Sequence, residues 1–241
     1  MGSYLITGTR RGIGQALARR LTEDGHRVYG IVRPAGSAIG AGSSGASALA
    51  GQVELDLTDF AGYPQALRPL LAELPKLDGL VHCAGIVRPG PLADAGPADF
   101  TDQFTVNVLA AAELIRYWLP ALRAAAATVV LVNSGSGLNA RPPLSSYGVS
   151  KFALRGYADA LRQEEPGIRV CSVYPGRTAT DMQRLVRTAE AGDYVEQHYL
   201  RPDTVAAVIA SVLSLPTDAT ITDLTVRPAG QPGPSSPDAH R

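Results

Sequence analysis

This sequence predicts an α/β fold: a doubly wound, mainly parallel sheet of seven strands with helices on both faces. Three observations carry that expectation. Short apolar runs alternate with longer stretches of helical periodicity along almost the whole chain, which implies right-handed crossovers between parallel strands. The first run opens straight into a glycine-rich turn and a helix, the first half of a nucleotide-binding strand–turn–helix unit. No linker or internal repeat divides the 241 residues, so residues 1–230 are expected to form one domain.

Tyr4-Leu5-Ile6 is the first strand, followed by Thr7-Gly8-Thr9-Arg10-Arg11-Gly12-Ile13-Gly14. Ile13, Ala16, Leu17 and Leu21 then share one helical face until Gly25. Glycines there let the backbone approach a pyrophosphate, and the helix start offers unpaired N–H groups to it. Val28 to Val32 is the second strand. In folds that bind NAD, a carboxylate roughly 20 residues past the glycines holds the ribose 2′-hydroxyl. No Asp or Glu lies between Asp24 and Glu54. Arg33 stands at the strand end instead, with Arg10 and Arg11 in the turn, and guanidinium groups suit a 2′-phosphate. The cofactor expected on these residues is NADP(H).

Pro34 to Gly51, rich in Gly, Ser and Ala, reads as a loop or a poor helix. Val53-Glu54-Leu55 is the third strand, running into Asp56-Leu57, and Phe60 to Leu74 is helical despite two prolines. Gly79 to Cys83 is the fourth strand, entering Ala84-Gly85, and Val87 to Pro97 is loop. Phe100, Phe104, Val108, Ala111, Ala112, Ile115 and Leu119 recur at helical spacing up to Pro120, with Asn107 inside that helix. Thr128 to Val132 is the fifth strand, leading into Asn133-Ser134-Gly135-Ser136-Gly137. Tyr147 to Gln163 is a helix, Arg169 to Val173 the sixth strand, and Tyr174-Pro175-Gly176 follows. Arg177 to Leu200 is polar, with no single period, and reads as a lid. Pro202 to Leu215 is an amphipathic helix, Ile221 to Val226 the seventh strand, and residues 231–241 a Pro/Ser-rich tail expected to be disordered.

Composition narrows the partners. Lys plus Arg (22) cancels Asp plus Glu (22), so no basic field points to nucleic acid or anionic lipid. The longest apolar run, Ala124 to Val132, is too short to span a bilayer, and no leader-like segment precedes the first strand. Cys83 and Cys171 both fall in apolar runs and read as buried reduced thiols, with no metal site expected. A cytoplasmic setting follows from these readings.

The chemistry centres on Tyr147-Gly148-Val149-Ser150-Lys151. Four residues apart on a helix, a phenol and an amine share one face. A free tyrosine titrates near pH 10, and a neighbouring ammonium favours its phenolate, giving a usable acid/base at neutrality. Taken alone the pair also fits a solvated helix face.

Together these segments resemble the short-chain dehydrogenase/reductase family, in its single-domain Rossmann-fold branch, over roughly residues 3–230. Thr7-Gly8-x-x-x-Gly12-Ile13-Gly14 resembles its cofactor turn, Asp56 its acidic residue by the adenine, Asn107 its helix asparagine and Ser134 its active-site serine. Tyr147 and Lys151 match its Tyr-x-x-x-Lys, and Pro175-Gly176 with Thr178 and Thr180 its nicotinamide segment. The resemblance implies a catalytic set of Asn107, Ser134, Tyr147 and Lys151. It implies cofactor contacts from Gly8, Arg10, Arg11, Gly12, Ile13, Gly14, Arg33, Asp56, Leu57, Cys83, Ala84, Gly85, Tyr147, Lys151, Pro175, Gly176, Thr178 and Thr180. Two departures stand out. His82-Cys83-Ala84-Gly85 replaces the family's Asn-Asn-Ala-Gly, which makes His82 a structural strand-end residue, and Ser136 rivals Ser134 for the hydroxyl role.

The implied reaction is NADPH-dependent reduction of a ketone or aldehyde, with Tyr147 protonating the carbonyl oxygen and Ser134 donating to it. Lys151 would lower the tyrosine pKa, and Asn107 would support a water relay. A 3-oxoacyl-thioester reductase is the alternative, and a non-catalytic NADP-binding sensor or scaffold is the reading from another class. Leu138, Pro143, Met182, Leu185, Val186, Tyr194 and Tyr199 are candidates for an apolar substrate pocket. Arg177, Arg184 and Arg187 are either solvated or a contact for an acidic carrier. Family resemblance also implies a homodimer or homotetramer, for which the alanine faces Ala110 to Ala112 and Ala158/Ala160 would allow close packing.

Overall fold

The computed structural model describes residues 1–34 and 49–229. Among these residues there are seven strands: β1 (Ser3–Thr7), β2 (Arg27–Val32), β3 (Gly51–Glu54), β4 (Gly79–His82), β5 (Thr128–Val132), β6 (Arg169–Pro175) and β7 (Asp223–Val226). They form one parallel sheet in the order β3-β2-β1-β4-β5-β6-β7. The order reverses between β1 and β4. In open sheets of this kind the crevice outside the strand C-termini at that reversal is where ligands bind.

Seven helices lie among the described residues: α1 (Gly12–Glu23), α2 (Tyr63–Glu73), α3 (Pro97–Phe104), α4 (Ala110–Ala124), α5 (Ser145–Glu164), α6 (Asp181–Ala189) and α7 (Pro202–Leu213). The strands send alternate side chains to opposite faces, as a pleated strand must. Leu5, Leu80, Val129 and Leu131 meet Leu67, Leu114, Trp118 and Leu154 from α2, α4 and α5. Tyr4, Ile6, Val81, Val130 and Val173 meet Leu17 and Leu21 of α1 and Val205 and Ile209 of α7 on the other face. Each buried aliphatic side chain is worth roughly 1.5–3 kcal/mol of transfer free energy, most of it opposed by chain entropy.

The helical run from Phe100 does not stay regular or stop at Pro120. It is α3, then a π-turn at Thr105–Leu109, then α4, which passes through Pro120 to Ala124. Pro120 removes one backbone donor. Burial of Trp118, Ala121 and Leu122 on either side keeps the helix in place. The polar lid contains a helix that periodicity alone did not show. α6 is capped by Thr180, whose hydroxyl accepts from the Gln183 N–H at 3.3 Å, and Met182 and Val186 form its short inward face. β7 begins at Asp223, two residues later than expected. Most of the Pro34 to Gly51 segment and the whole 231–241 tail lie outside the described residues. No helix among the described residues is long and apolar enough to cross a membrane. Those residues also hold no cluster that could bind a metal.

Candidate active site

A cleft of about 1410 Å³ opens along the C-terminal ends of the strands. One end of it is built by the turn after β1. Gly8 (φ +76°) and Gly12 (φ +59°) adopt left-handed conformations that glycine reaches without strain. A Cβ on Gly14 would sit 2.5 Å from the Gly8 carbonyl oxygen, so only glycine lets α1 start this close to the turn. No side chain caps α1, and its first turn holds no acid. Its leading N–H groups therefore face the cleft, an arrangement suited to an anionic diphosphate. Gly8, Gly12, Ile13, Gly14, Cys83, Ala84, Gly85, Pro175, Gly176, Thr178 and Thr180 all line this one cleft.

At the end of the cleft beside β2 and β3, Arg10 pairs with Glu54 at 3.1 Å and Arg33 lines the wall beyond β2. Arg11 pairs with Asp181 at 3.1 Å, tying the turn to the start of α6. The Asp56 side chain is turned inward on itself. Its Oδ1 accepts from the Thr58 N–H at 2.9 Å and the Thr58 hydroxyl at 2.8 Å. Those bonds, helped by Arg33, hold its carboxyl below the usual range. Leu57 lines the cleft; Asp56 does not.

His82 is fully buried, with Nδ1 3.3 Å from the Thr7 hydroxyl, which also accepts from the Ala84 N–H at 2.9 Å. Burial, reinforced by the Lys151 charge, pushes its pKa down to about 3. A neutral histidine within the strand ends is the structural residue expected there.

At the other end, Ser134, Ser136, Tyr147 and Lys151 share the cleft wall. Ser134 sits at the exit of β5 with its hydroxyl accepting from the Ser136 N–H at 3.1 Å. Its side chain also acts on the Tyr147 phenol and lowers that pKa; Ser136 has no such effect. Lys151 lies one turn beyond Tyr147 on α5, its Nζ 5.8 Å from the tyrosine ring centre. The expected depression of the phenol pKa is corrected by the structure. Burial outweighs Ser134 and pushes Tyr147 up to about 12. Lys151 is itself desolvated to about 8 and spends a donor on the Val132 carbonyl at 3.0 Å.

Asn107 does not line the cleft. The π-turn carries it fully inward, where its Oδ1 accepts from the Ile86 N–H at 2.9 Å. Its Nδ2 donates to the Ile86 carbonyl and the Ser150 hydroxyl, both at 3.0 Å. Ser150 in turn donates to the Tyr147 carbonyl at 2.7 Å. Asn107 thus binds the loop after β4 to the helix bearing Tyr147.

Two supports escaped the sequence reading. Buried Gln103 donates to the Ser146 hydroxyl at 2.8 Å and accepts from the Arg88 N–H at 3.0 Å. Asn133 accepts from the Ser134 N–H at 2.9 Å and donates to the Lys151 carbonyl at 3.1 Å. The only signal for Gln103 was a polar residue between Phe100 and Phe104, on what proves to be a buried face. Asn133 stood beside the serine with nothing to mark its side chain as a brace.

Of the candidate pocket residues, Met182 and Val186 reach the cleft and pack with Val87, Leu144 and Tyr147. Leu138, Pro143, Leu185, Tyr194 and Tyr199 do not line it. Leu185 is exposed, and Tyr194 and Tyr199 stack on each other at 5.0 Å. The lid arginines are internally matched. Arg177 grips Glu190 through two bonds of 2.9 and 2.8 Å, Arg187 shares that carboxylate, and Arg184 lies over the Tyr194 ring and beside Glu196. Of the alanine faces, Ala110, Ala111 and Ala158 are buried in the core, whereas Ala112 is half-buried and Ala160 exposed.

A family profile described as short chain dehydrogenase matches residues 3–191. The chain is 34% identical to a 2,3-dihydro-2,3-dihydroxybenzoate dehydrogenase of Escherichia coli, over 81% of this chain and 76% of that protein. It is 27% identical to dehydrogenase/reductase SDR family member 11 of Bos taurus, over 94% of this chain and 96% of that one. Among solved structures, a 3-ketoacyl-(acyl-carrier-protein) reductase from Brucella melitensis complexed with NADH superposes with a TM-score of 0.79 at 26% identity, covering 95% of this chain and 97% of that one. An alcohol dehydrogenase from Thermococcus sibiricus complexed with 5-hydroxy-NADP superposes with a TM-score of 0.83 at 23% identity, covering 97% and 99%, and shares the fold.

Proposed function

The chain belongs to the short-chain dehydrogenase family, a family of oxidoreductases, and from that premise we propose that it reduces a ketone or aldehyde to an alcohol with NADPH. The observation that carries this reading is convergence: Ser134, Tyr147 and Lys151 line the same cleft as the glycine turn. A bound nicotinamide dinucleotide supplies the hydride. The residues supply the rest. Tyr147, a phenol at neutral pH, gives its proton to the carbonyl oxygen. Ser134 donates a hydrogen bond to the same oxygen as negative charge develops on it. Lys151 places a cation beside the phenolate left behind. Asn107 acts by positioning, since its side chain is fully engaged with Ile86 and Ser150.

NADPH is favoured over NADH by Arg33 and Arg10 at the adenosine end, where no β2-terminal carboxylate opposes a 2′-phosphate. The thioester alternative gains support from the likeness to the Brucella 3-ketoacyl-(acyl-carrier-protein) reductase, but the lid arginines that would meet an acidic carrier are occupied by Glu190 and Glu196. Self-association is part of the proposal, through exposed Leu109 at the end of the π-turn and exposed Val149 and Phe152 on α5.

The test is NADPH oxidation across a panel of ketones, aldehydes and 3-oxoacyl thioesters. Turnover of simple carbonyls is the expected result. Tight NADPH binding with no turnover on any of them would sink the enzyme reading in favour of the sensor.

A further inference from the structure

The charges around the cleft are unevenly matched. Its carboxylates are Asp181, Glu190 and Asp203, and arginines hold all of them: Arg11 at 3.1 Å, Arg177 at 2.8 Å with Arg187 at 2.5 Å, and Arg19 at 2.5 Å. Lys151 is committed to Val132, and Arg10 to Glu54. Among the described residues, Arg141 and Arg227 are the cleft-lining cations whose side chains hold neither a hydrogen bond nor an ion pair.

Arg141 is the better placed of the two. It stands on the segment between Ser136 and α5, which also carries Leu144 of the apolar wall around Tyr147. That segment is held in place. The Arg141 carbonyl accepts from the Leu144 N–H at 2.8 Å, and the Pro143 carbonyl accepts from the Gly90 N–H at 2.7 Å. A fixed backbone thus presents an exposed, unmatched guanidinium at the rim of a pocket floored by Val87, Leu144, Met182 and Val186. An anion cannot lie against that apolar floor without losing its hydration. It can lie at the rim, where guanidinium and carboxylate meet through paired, charge-assisted bonds.

We propose that the substrate is a carbonyl compound that also carries a carboxylate, bound by Arg141 while its apolar body rests on the four floor residues. This rests on the carbonyl-reductase reading above and narrows it to oxo acids. Atom for atom, the carbonyl carbon gains a hydride from the reduced nicotinamide, its oxygen gains the Tyr147 proton, and the oxidised nicotinamide leaves. The carboxylate is unchanged.

The experiment compares kcat/KM for oxo acids and their methyl esters on matched alkyl and aryl skeletons, using the full chain and NADPH. Wild type should prefer the acid by roughly tenfold or more, the size expected of one charge-assisted contact. Arg141→Gln should bring the acid-to-ester ratio close to one, and Arg141→Lys should restore part of it. Equal use of acid and ester by wild type would overturn the proposal. So would equal losses on both in Arg141→Gln, or collapse of the ratio in Arg227→Gln instead. Brisk reduction of esters with no preference for acids would remove this inference alone. Silence on every carbonyl would remove the reductase reading and this inference with it.

Discussion

Lys151 donates its ammonium to the carbonyl of Val132 at 3.0 Å, and that bond holds a cation at the end of β5 in a site that water hardly reaches. The consequence is a titration near neutrality. Desolvation brings Lys151 down to about 8, whereas it drives Tyr147 up to about 12. The phenol therefore stays protonated, ready to donate, across the working range. The cation beside it does not persist. Reductive kcat/KM is expected to fall as pH rises through about 8, and the reverse reaction, which needs a phenolate, to quicken toward alkaline pH. Lys151→Met should lack the limb near 8. A flat reductive profile from neutral pH into the alkaline range would contradict this.

The same lysine predicts a stability trend. Its folded value lies below the usual 10.5, so between about 8 and 10.5 the unfolded chain binds more protons than the folded one. Stability from this group is then present above 10.5 and lost as pH falls through about 8. The Tm of wild type should rise relative to that of Lys151→Met over that window. A constant difference would show that the ammonium is better solvated than its surroundings imply.

Tyr147 and Ser134 should separate in kinetics. Tyr147→Phe removes the proton donor and is expected to lower kcat by roughly 10²–10⁴ while NADPH still binds. Ser134→Ala removes one donor to the developing oxyanion, a loss of about 10²–10³. Ser136→Ala should cost far less, because only Ser134 acts on the phenol. If Ser136→Ala proved the more damaging, the two hydroxyls would have to exchange roles.

What could be read from the chain follows from which interactions are local. The strand runs at Val129–Val132 and Tyr4–Ile6 are apolar without a break because both faces of the sheet are covered, and covered strands announce themselves. Glycines at 8, 12 and 14 announce themselves through geometry that no other residue accepts. The braces did not. Gln103 and Asn133 earn their places through partners 43 and 18 residues away, which no window of sequence contains. Likewise the rise in the Tyr147 pKa comes from burial by distant segments, so spacing from Lys151 alone suggested the opposite sign. α6 was hidden because its inward face is only Met182 and Val186 among arginines.

Asn107 offers a test of positioning. Replacing it by Ala leaves the Ile86 N–H and carbonyl and the Ser150 hydroxyl without their partner in a buried site. Such a loss is expected to cost about 1–3 kcal/mol, read as a lower urea midpoint. Turnover should fall with it because the loop after β4 and α5 are no longer held together. An unchanged midpoint with lost activity would instead favour a direct part in proton transfer.

Cofactor choice is the remaining prediction, and it depends on four charges at the adenosine end. Arg33 lies close enough to Asp56 to help lower its pKa, and Arg10 is held by Glu54 at 3.1 Å. The Arg10–Glu54 pair is exposed, so it contributes little to stability and yields readily to a stronger anion. A 2′-phosphate would be that anion, drawing Arg33 and Arg10 together. Arg33→Ala is therefore expected to raise the KM for NADPH by roughly tenfold or more and to leave that for NADH within about twofold. Glu54→Gln should act in the opposite sense, freeing Arg10 and lowering the NADPH value. Both effects should shrink at high ionic strength, because the groups are open to solvent. Equal changes for the two cofactors in Arg33→Ala would show that this arginine supports the cleft wall and does not read the ribose.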